Sequence, residues 1–128
     1  MSSSELVKMR TRGILAFLTA HPTYQLSSRE WLVFLTVAME EGLTTPELVE
    51  QLQMPQQTLS RKIRSLGQTV DESGDFQGYN LIRIVPKGKA HSIYLTDEGR
   101  ALWQDFSNMN DKVDQVIIDQ FRDEKVFN

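Results

Sequence analysis

The sequence predicts a mainly α protein carrying one small β-hairpin, an α+β arrangement. Three observations point there. Apolar residues recur at three- and four-residue spacing through several separate stretches. Two short β-branched segments, Leu81 to Val85 and Ala90 to Leu95, flank the turn sequence Pro86-Lys87-Gly88-Lys89. A long amphipathic pattern then runs from Asp97 to about Phe127. With 128 residues, 40% hydrophobic and 24% charged, the chain suits one domain with one core and is short for two.

The first helix is expected from Ser4 to about Ala20, with Leu6, Met9, Ile14, Phe17 and Leu18 at helical spacing. His21-Pro22 ends it, because a residue before proline is pushed out of the α region. The second starts at Ser27, where Ser27 and Glu30 have the spacing of a capping box. Trp31, Leu32, Phe34, Leu35 and Ala38 form its apolar stripe, and Gly42 is a terminator. Thr44-Thr45 followed by Pro46 marks a third helix, with Leu48, Val49 and Leu52 facing inward. After the turn Gln53-Met54-Pro55, a fourth runs from about Gln56 to Leu66 with Leu59, Ile63 and Leu66 on one side. The polar stretch 67–80, with three glycines, reads as an exposed loop before the hairpin. Thr96 caps the final helix, whose first turn holds Asp97 and Glu98, where the helix dipole favours negative charge. A helix of that length spans about 45 Å at about 1.5 Å per residue, too long to be covered by a small domain.

Three helices, a turn, a fourth helix, a hairpin and a long helix make up the layout of a winged helix-turn-helix with long terminal helices for dimerisation. The expected divisions are 1–26 for the N-terminal helix and its connection, 27–96 for the winged core and 97–128 for the C-terminal helix. On the fourth helix Gln56, Gln57, Thr58, Ser60, Arg61, Lys62 and Arg64 are left outside the apolar stripe. Those side chains are suited to base edges and phosphates. Arg83, Lys87 and Lys89 lie on or beside the hairpin. The formal net charge is −3, yet DNA affinity follows local patches rather than the sum. Between Pro55 and His91 the only acids are Asp71, Glu72 and Asp75, all in the loop.

The segment Leu48 to Leu66 resembles the helix-turn-helix of the MarR family. Ile93-Tyr-Leu-Thr-Asp-Glu-Gly-Arg-Ala-Leu102 resembles that family's LT-x-x-G-x-x-L junction between wing and dimerisation helix. The resemblance covers roughly Trp31 to Leu102. It implies a sequence-specific double-stranded-DNA-binding transcriptional regulator, a homodimeric repressor in a cytoplasmic setting. Its fourth helix would enter the major groove, and its dimer would be held by Leu6, Phe17, Leu102, Phe106, Met109, Val113, Ile117 and Phe121. The chain departs from the family pattern at Gln53, where the turn often has glycine, and at Lys87-Gly88-Lys89, where the wing often has Asp-x-Arg. The alternatives are a winged-helix module of replication, partition or mobile-element control, and a protein-interaction module.

The absence of cysteine removes disulfides, thiol redox chemistry and zinc fingers. His21 and His91 have no ligand or catalytic partner at motif spacing, and 71–75 lacks the pattern of a calcium loop. No phosphate-binding loop, dinucleotide fingerprint or nucleophile elbow is present. The chain therefore reads as a non-enzyme without metal or cofactor and without a membrane span. A small-molecule effector and the operator sequence are left open.

Overall fold

The structure is a computed structural model that describes residues 2–21, 23–68, 72–74 and 78–127, the side chains at 121 and 123–127 excepted. Eight elements follow in order: α1 (Ser3–Ala20), α2 (Ser28–Met39), β1 (Leu43–Thr44), α3 (Thr45–Leu52), α4 (Gln56–Leu66), β2 (Ile82–Lys87), β3 (Ala90–Leu95) and α5 (Asp97–Phe127). The result is the mainly helical winged-helix fold expected from the sequence. Two compact units divide it, Met1–Gln25 with Gln104–Asn128 and Leu26–Trp103. One boundary falls inside α5 rather than at its start. No described helix is long and apolar enough to cross a membrane.

In the unit Leu26–Trp103, side-chain caps start α2 and α3. Ser27 caps α2 by accepting the Glu30 N–H at 3.2 Å, while the Glu30 carboxylate accepts the Ser27 N–H at 2.9 Å. Thr44 rather than Thr45 caps α3, through the same reciprocal arrangement with Glu47. Pro46 accordingly stands one residue further into the helix than the sequence suggests. The α3–α4 turn places Gln53 in the left-handed region, at φ 50° and ψ 41°. Phe34, Val33, Val37, Leu48, Leu59 and Leu66 are wholly buried, and Trp31 meets Phe34 edge-on at 6.0 Å. These side chains, contributed by α2, α3 and α4, form the core of the unit.

The sheet has three strands in the order β1-β3-β2, all antiparallel. β1 was not expected, since only Leu43 and Thr44 pair, opposite Ile93 and Ser92. The hairpin is tighter than its sequence suggests. Lys87 pairs with Ala90 and Pro86 with His91, leaving Gly88-Lys89 as the turn, with Gly88 at φ 62°. Such a two-residue turn matches the strand twist with positive φ. Pro86, which has no N–H, is tolerated because β2 is an edge strand.

The junction from wing to α5 shows why its motif has the residues it has. Leu95 and Leu102 are each 2% exposed. The buried Thr96 hydroxyl accepts the Gly99 N–H at 3.0 Å and donates to the Asn80 carbonyl at 2.6 Å. A Cβ on Gly99 would stand 2.0 Å from the Leu81 carbonyl oxygen, so only glycine fits. Glu41 adds a clasp, accepting the Leu95 N–H at 2.8 Å and pairing with Arg100 at 3.4 Å.

In the other unit, α1 and the C-terminal part of α5 pack on each other. A Cβ on Gly13 would lie 2.7 Å from Val113 Cγ2, with the Met109 sulfur 3.5 Å away, so the helices touch closely there. Phe17 meets Phe106 edge-on at 5.3 Å, and Arg10 pairs with Asp114 at 2.6 Å. The lone His21 has a structural part here. Its Nδ1 accepts the N–H groups of Thr23 and Tyr24, both at 3.2 Å. Pro22 lies outside the described residues.

These contacts alter the expected interface set. Phe17, Phe106, Met109 and Val113 are half-buried by contacts within their own chain, and Leu6 is half-buried as well. Leu102 at 2% and Ile117 at 9% exposure have almost no apolar surface left to give a partner. The Phe121 side chain lies outside the described residues. Among the described residues of this unit, the large apolar side chains that face outward are Val7 (63% exposed), Leu15, Val116 and Ile118.

Candidate nucleic-acid interface

α4 is built so that its two sides differ completely. Leu59, Ile63 and Leu66 are buried at one side. At about 100° per residue, Gln56, Ser60, Arg64, Gln57 and Arg61 fall within one sector of about 140° on the other. All five are exposed. They carry amide, hydroxyl and guanidinium groups, able to bridge base edges and phosphates, and no acid interrupts them. Together they line a shallow concavity of their own.

Two residues expected on this face are not there. Thr58 and Lys62 are half-buried on the flank of α4. They sit at about 200° and 240° from Gln56, beyond the exposed sector and beside the apolar one. Polarity alone placed them outside the core, but it does not give the azimuth around the helix.

Between α4 and the hairpin lies an open groove of about 650 Å³. Gln56, Ser60 and Arg64 line it from the helix, and Ile84, Lys89 and His91 from the hairpin. Among the described residues, no acid lines it. The structure therefore brings Lys89 alongside the α4 face, with Lys87 exposed at the closing pair of the hairpin. His91 and Ile84 were not singled out by the sequence. Ile84 is 49% exposed although it belongs to a β-branched strand pattern, and its side chain faces the groove.

Arg83 is placed differently. Four residues from Lys87, it stands about 13 Å from the hairpin tip at about 3.3 Å per residue. Ile84 lines the groove, so strand alternation turns Arg83 to the other side of the sheet. Its guanidinium carbon lies 5.1 Å from the centre of the Tyr94 ring, its cross-strand partner. That stacking is worth about 0.5–1 kcal/mol at an exposed site.

α4 is fixed more firmly at its end than at its start. Its N-terminus, at Pro55, has no side-chain cap. At the other end the carbonyls of Ser65 and Leu66 accept the N–H groups of Tyr79 and Leu81, at 2.9 and 2.8 Å. The loop around 67–80 thus returns to α4, although 69–71 and 75–77, with the acids Asp71 and Asp75, lie outside the described residues. Glu30 of α2 also reaches α4. It is 8% exposed and accepts the Ser65 hydroxyl. Burial pushes its carboxyl up, but hydrogen bonds from Ser65 and Ser27 and the Lys62 charge outweigh that and hold it below the usual range.

No family model and no curated relative matches the chain by sequence. Solved structures do match by fold. MepR, a transcription regulator of the Staphylococcus aureus multidrug efflux pump MepA, aligns at TM-score 0.65 and 18% identity, covering 98% of this chain and 91% of that one. MepR from S. aureus in complex with DNA aligns at TM-score 0.57 and 19% identity, over 94% and 84%. A MarR transcriptional regulator from Methanosarcina mazei Go1 aligns at TM-score 0.58 and 14% identity, over 92% and 74%. The chain is similar in fold to regulators of the MarR type.

Proposed function

We propose that this chain is a sequence-specific double-stranded-DNA-binding regulator of transcription, acting as a homodimeric repressor. The observation that carries the reading is the acid-free α4 face of Gln56, Gln57, Ser60, Arg61 and Arg64, continued across the groove by Lys89 and His91. A helix of this kind fits the major groove, and a basic hairpin beside it reaches the adjacent backbone or minor groove. The fold likeness to a regulator solved with DNA supports the same reading. The similar structures are regulators rather than enzymes, and the α4 face needs no cofactor to bind a duplex.

Dimerisation follows from two considerations. One reading helix makes few base contacts, and two held about 34–36 Å apart on a two-fold axis combine them on one side of the duplex. The unit formed by α1 and the end of α5 exposes Val7, Leu15, Val116 and Ile118, and a self-complementary interface would cover such side chains.

The test begins with selection of bound duplexes from a random pool. Gln57→Ala and Arg61→Ala should each weaken binding to the selected duplex by about 1–3 kcal/mol for each base edge no longer bonded, with little change on a scrambled one. Equal discrimination in both variants and the parent refutes the reading of α4. Sedimentation equilibrium at micromolar concentration should give a dimer, and Val116→Asp with Ile118→Asp a monomer that loses operator binding. A parent that is monomeric and still binds tightly refutes the dimer.

A further inference from the structure

We infer that Glu30 is a positioning residue for the reading helix: through the Ser65 hydroxyl it fixes the rotation of α4 about its own axis, and so where Gln57, Ser60 and Arg61 are presented. This rests on the DNA-binding reading of α4. The sequence offers a sufficient local explanation for Glu30 as the second half of the Ser27 capping box, and the structure shows a second use. One carboxylate oxygen accepts the Ser27 N–H and the other accepts the Ser65 hydroxyl, across 35 positions of sequence. A cap alone does not require burial of the whole residue to 8% exposure. Caps ordinarily stand in water, where glutamine serves equally well. Here the two carboxylate oxygens accept two donors at once, and the charge that strengthens both bonds is one an amide lacks.

The location of the link gives it leverage. Ser65 lies on the flank of α4, about 140° from Ser60 around the axis. Leu59, Ile63 and Leu66 pack along one arc of the helix, and such contacts are less directional than a hydrogen bond. A hydrogen bond on the flank supplies that direction. Among the described residues, no side-chain cap holds the start of the helix at Pro55. A guanidinium or amide carried about 6 Å from the axis moves by about 1 Å for a roll of 10°, beyond the roughly 0.5 Å within which a recognition group must be held.

Three variants test this. Ser65→Ala removes the donor and leaves the α2 cap whole. Glu30→Gln keeps a capping side chain but exchanges the charge-assisted bond from Ser65 for a weaker one in which the amide donates to the hydroxyl. Ser65→Thr retains the hydroxyl and serves as the rescue. Affinity is measured for a pool-selected and a scrambled duplex at a temperature where circular dichroism shows every variant folded. Amide exchange across 56–66 is followed in the same proteins without DNA. The expected result is a loss of about tenfold in preference for the selected duplex in Ser65→Ala and a smaller loss in Glu30→Gln, with scrambled-duplex affinity unchanged. Ser65→Thr should restore the preference. Exchange in 56–66 should quicken in the first two while 46–52 is unaffected. Full discrimination in Ser65→Ala with only a lower melting temperature overturns the inference. Unchanged exchange in 56–66 overturns it whatever the DNA result, and a parent protein that discriminates between no duplexes overturns the α4 reading instead.

Discussion

Replacing Gly99 by alanine should destabilise the winged unit through one methyl group. The added Cβ would lie 2.0 Å from the Leu81 oxygen and 3.1 Å from its carbonyl carbon. Ordinary contact begins at 3.4 Å, so the groups must separate by about 1.4 Å against close packing. The carbonyl cannot yield freely. It accepts the Thr96 N–H at 3.1 Å, and the Leu81 N–H donates to Leu66 at 2.8 Å. Leu81 itself is wholly buried. Overpacking of this kind costs about 1–3 kcal/mol, and losing one of those hydrogen bonds adds about 1 kcal/mol. A total of about 3 kcal/mol lowers the melting temperature by about 10 °C in a chain of this length. Thermal unfolding followed by circular dichroism measures it directly. Thr96→Ser, which retains the capping hydroxyl, is the control and should stay within about 2 °C of the parent. A Gly99→Ala protein that melts with the parent would refute this reasoning, because it would mean that wing and α5 do not meet at this distance.

Gln53→Gly should stabilise the protein by about 0.5–1 kcal/mol, because a non-glycine residue in the left-handed region is strained by about 1–2 kcal/mol while glycine loses some chain entropy on folding. A urea midpoint that rises without a change in slope would show it, and a fall would show that the Gln53 side chain compensates for its backbone. Lys87→Ala with Lys89→Ala should lower affinity for every duplex alike and flatten the dependence of log K on log salt by about 0.9 for each phosphate no longer neutralised; an unaltered slope would remove the hairpin from the interface. Glu30 should make stability depend on acid. Its carboxyl is held below the ordinary value of 4.5 in the folded chain, so its contribution is complete above that pH and is lost as pH falls through it toward the folded value. Denaturation followed from pH 6 downward should therefore be shallower in Glu30→Gln than in the parent, and identical curves would show that another group sets the acid limit.

Much of this architecture is legible because its signals are local. Ser27, Thr44 and Thr96 each start a helix by a bond spanning three residues, and a reader of the sequence has both partners within one turn. The hairpin shows itself by β-branched Ile82, Ile84 and Val85 before a glycine-containing turn and by Ile93 and Tyr94 after it. β1 does not, because Leu43 and Thr44 are extended only where Ile93 and Ser92 lie beside them. The end of the hairpin was misplaced for a related reason. Proline and lysine read as turn formers, yet an edge strand accepts both.

The candidate site was legible in type and not in azimuth. A count of polar side chains on α4 puts Thr58 and Lys62 with Arg61, whereas the burial of Leu59, Ile63 and Leu66 turns them to the flank. The same rotation brings Ser65 to the buried carboxylate of α2. The signal that could have found it was available: the buried stripe of a helix fixes its opposite face, and the angles between them follow from the residue numbers alone. What no local pattern supplies is the partner. Glu30 has a complete explanation within its own first turn, so nothing in the sequence asks for a second one, and a carboxylate with one oxygen still to satisfy becomes visible only when α4 is laid against α2. Groups that already have a local role are thus the ones in which a long-range role is most easily overlooked, and in this fold that group meets the flank of the helix whose face is proposed to read DNA.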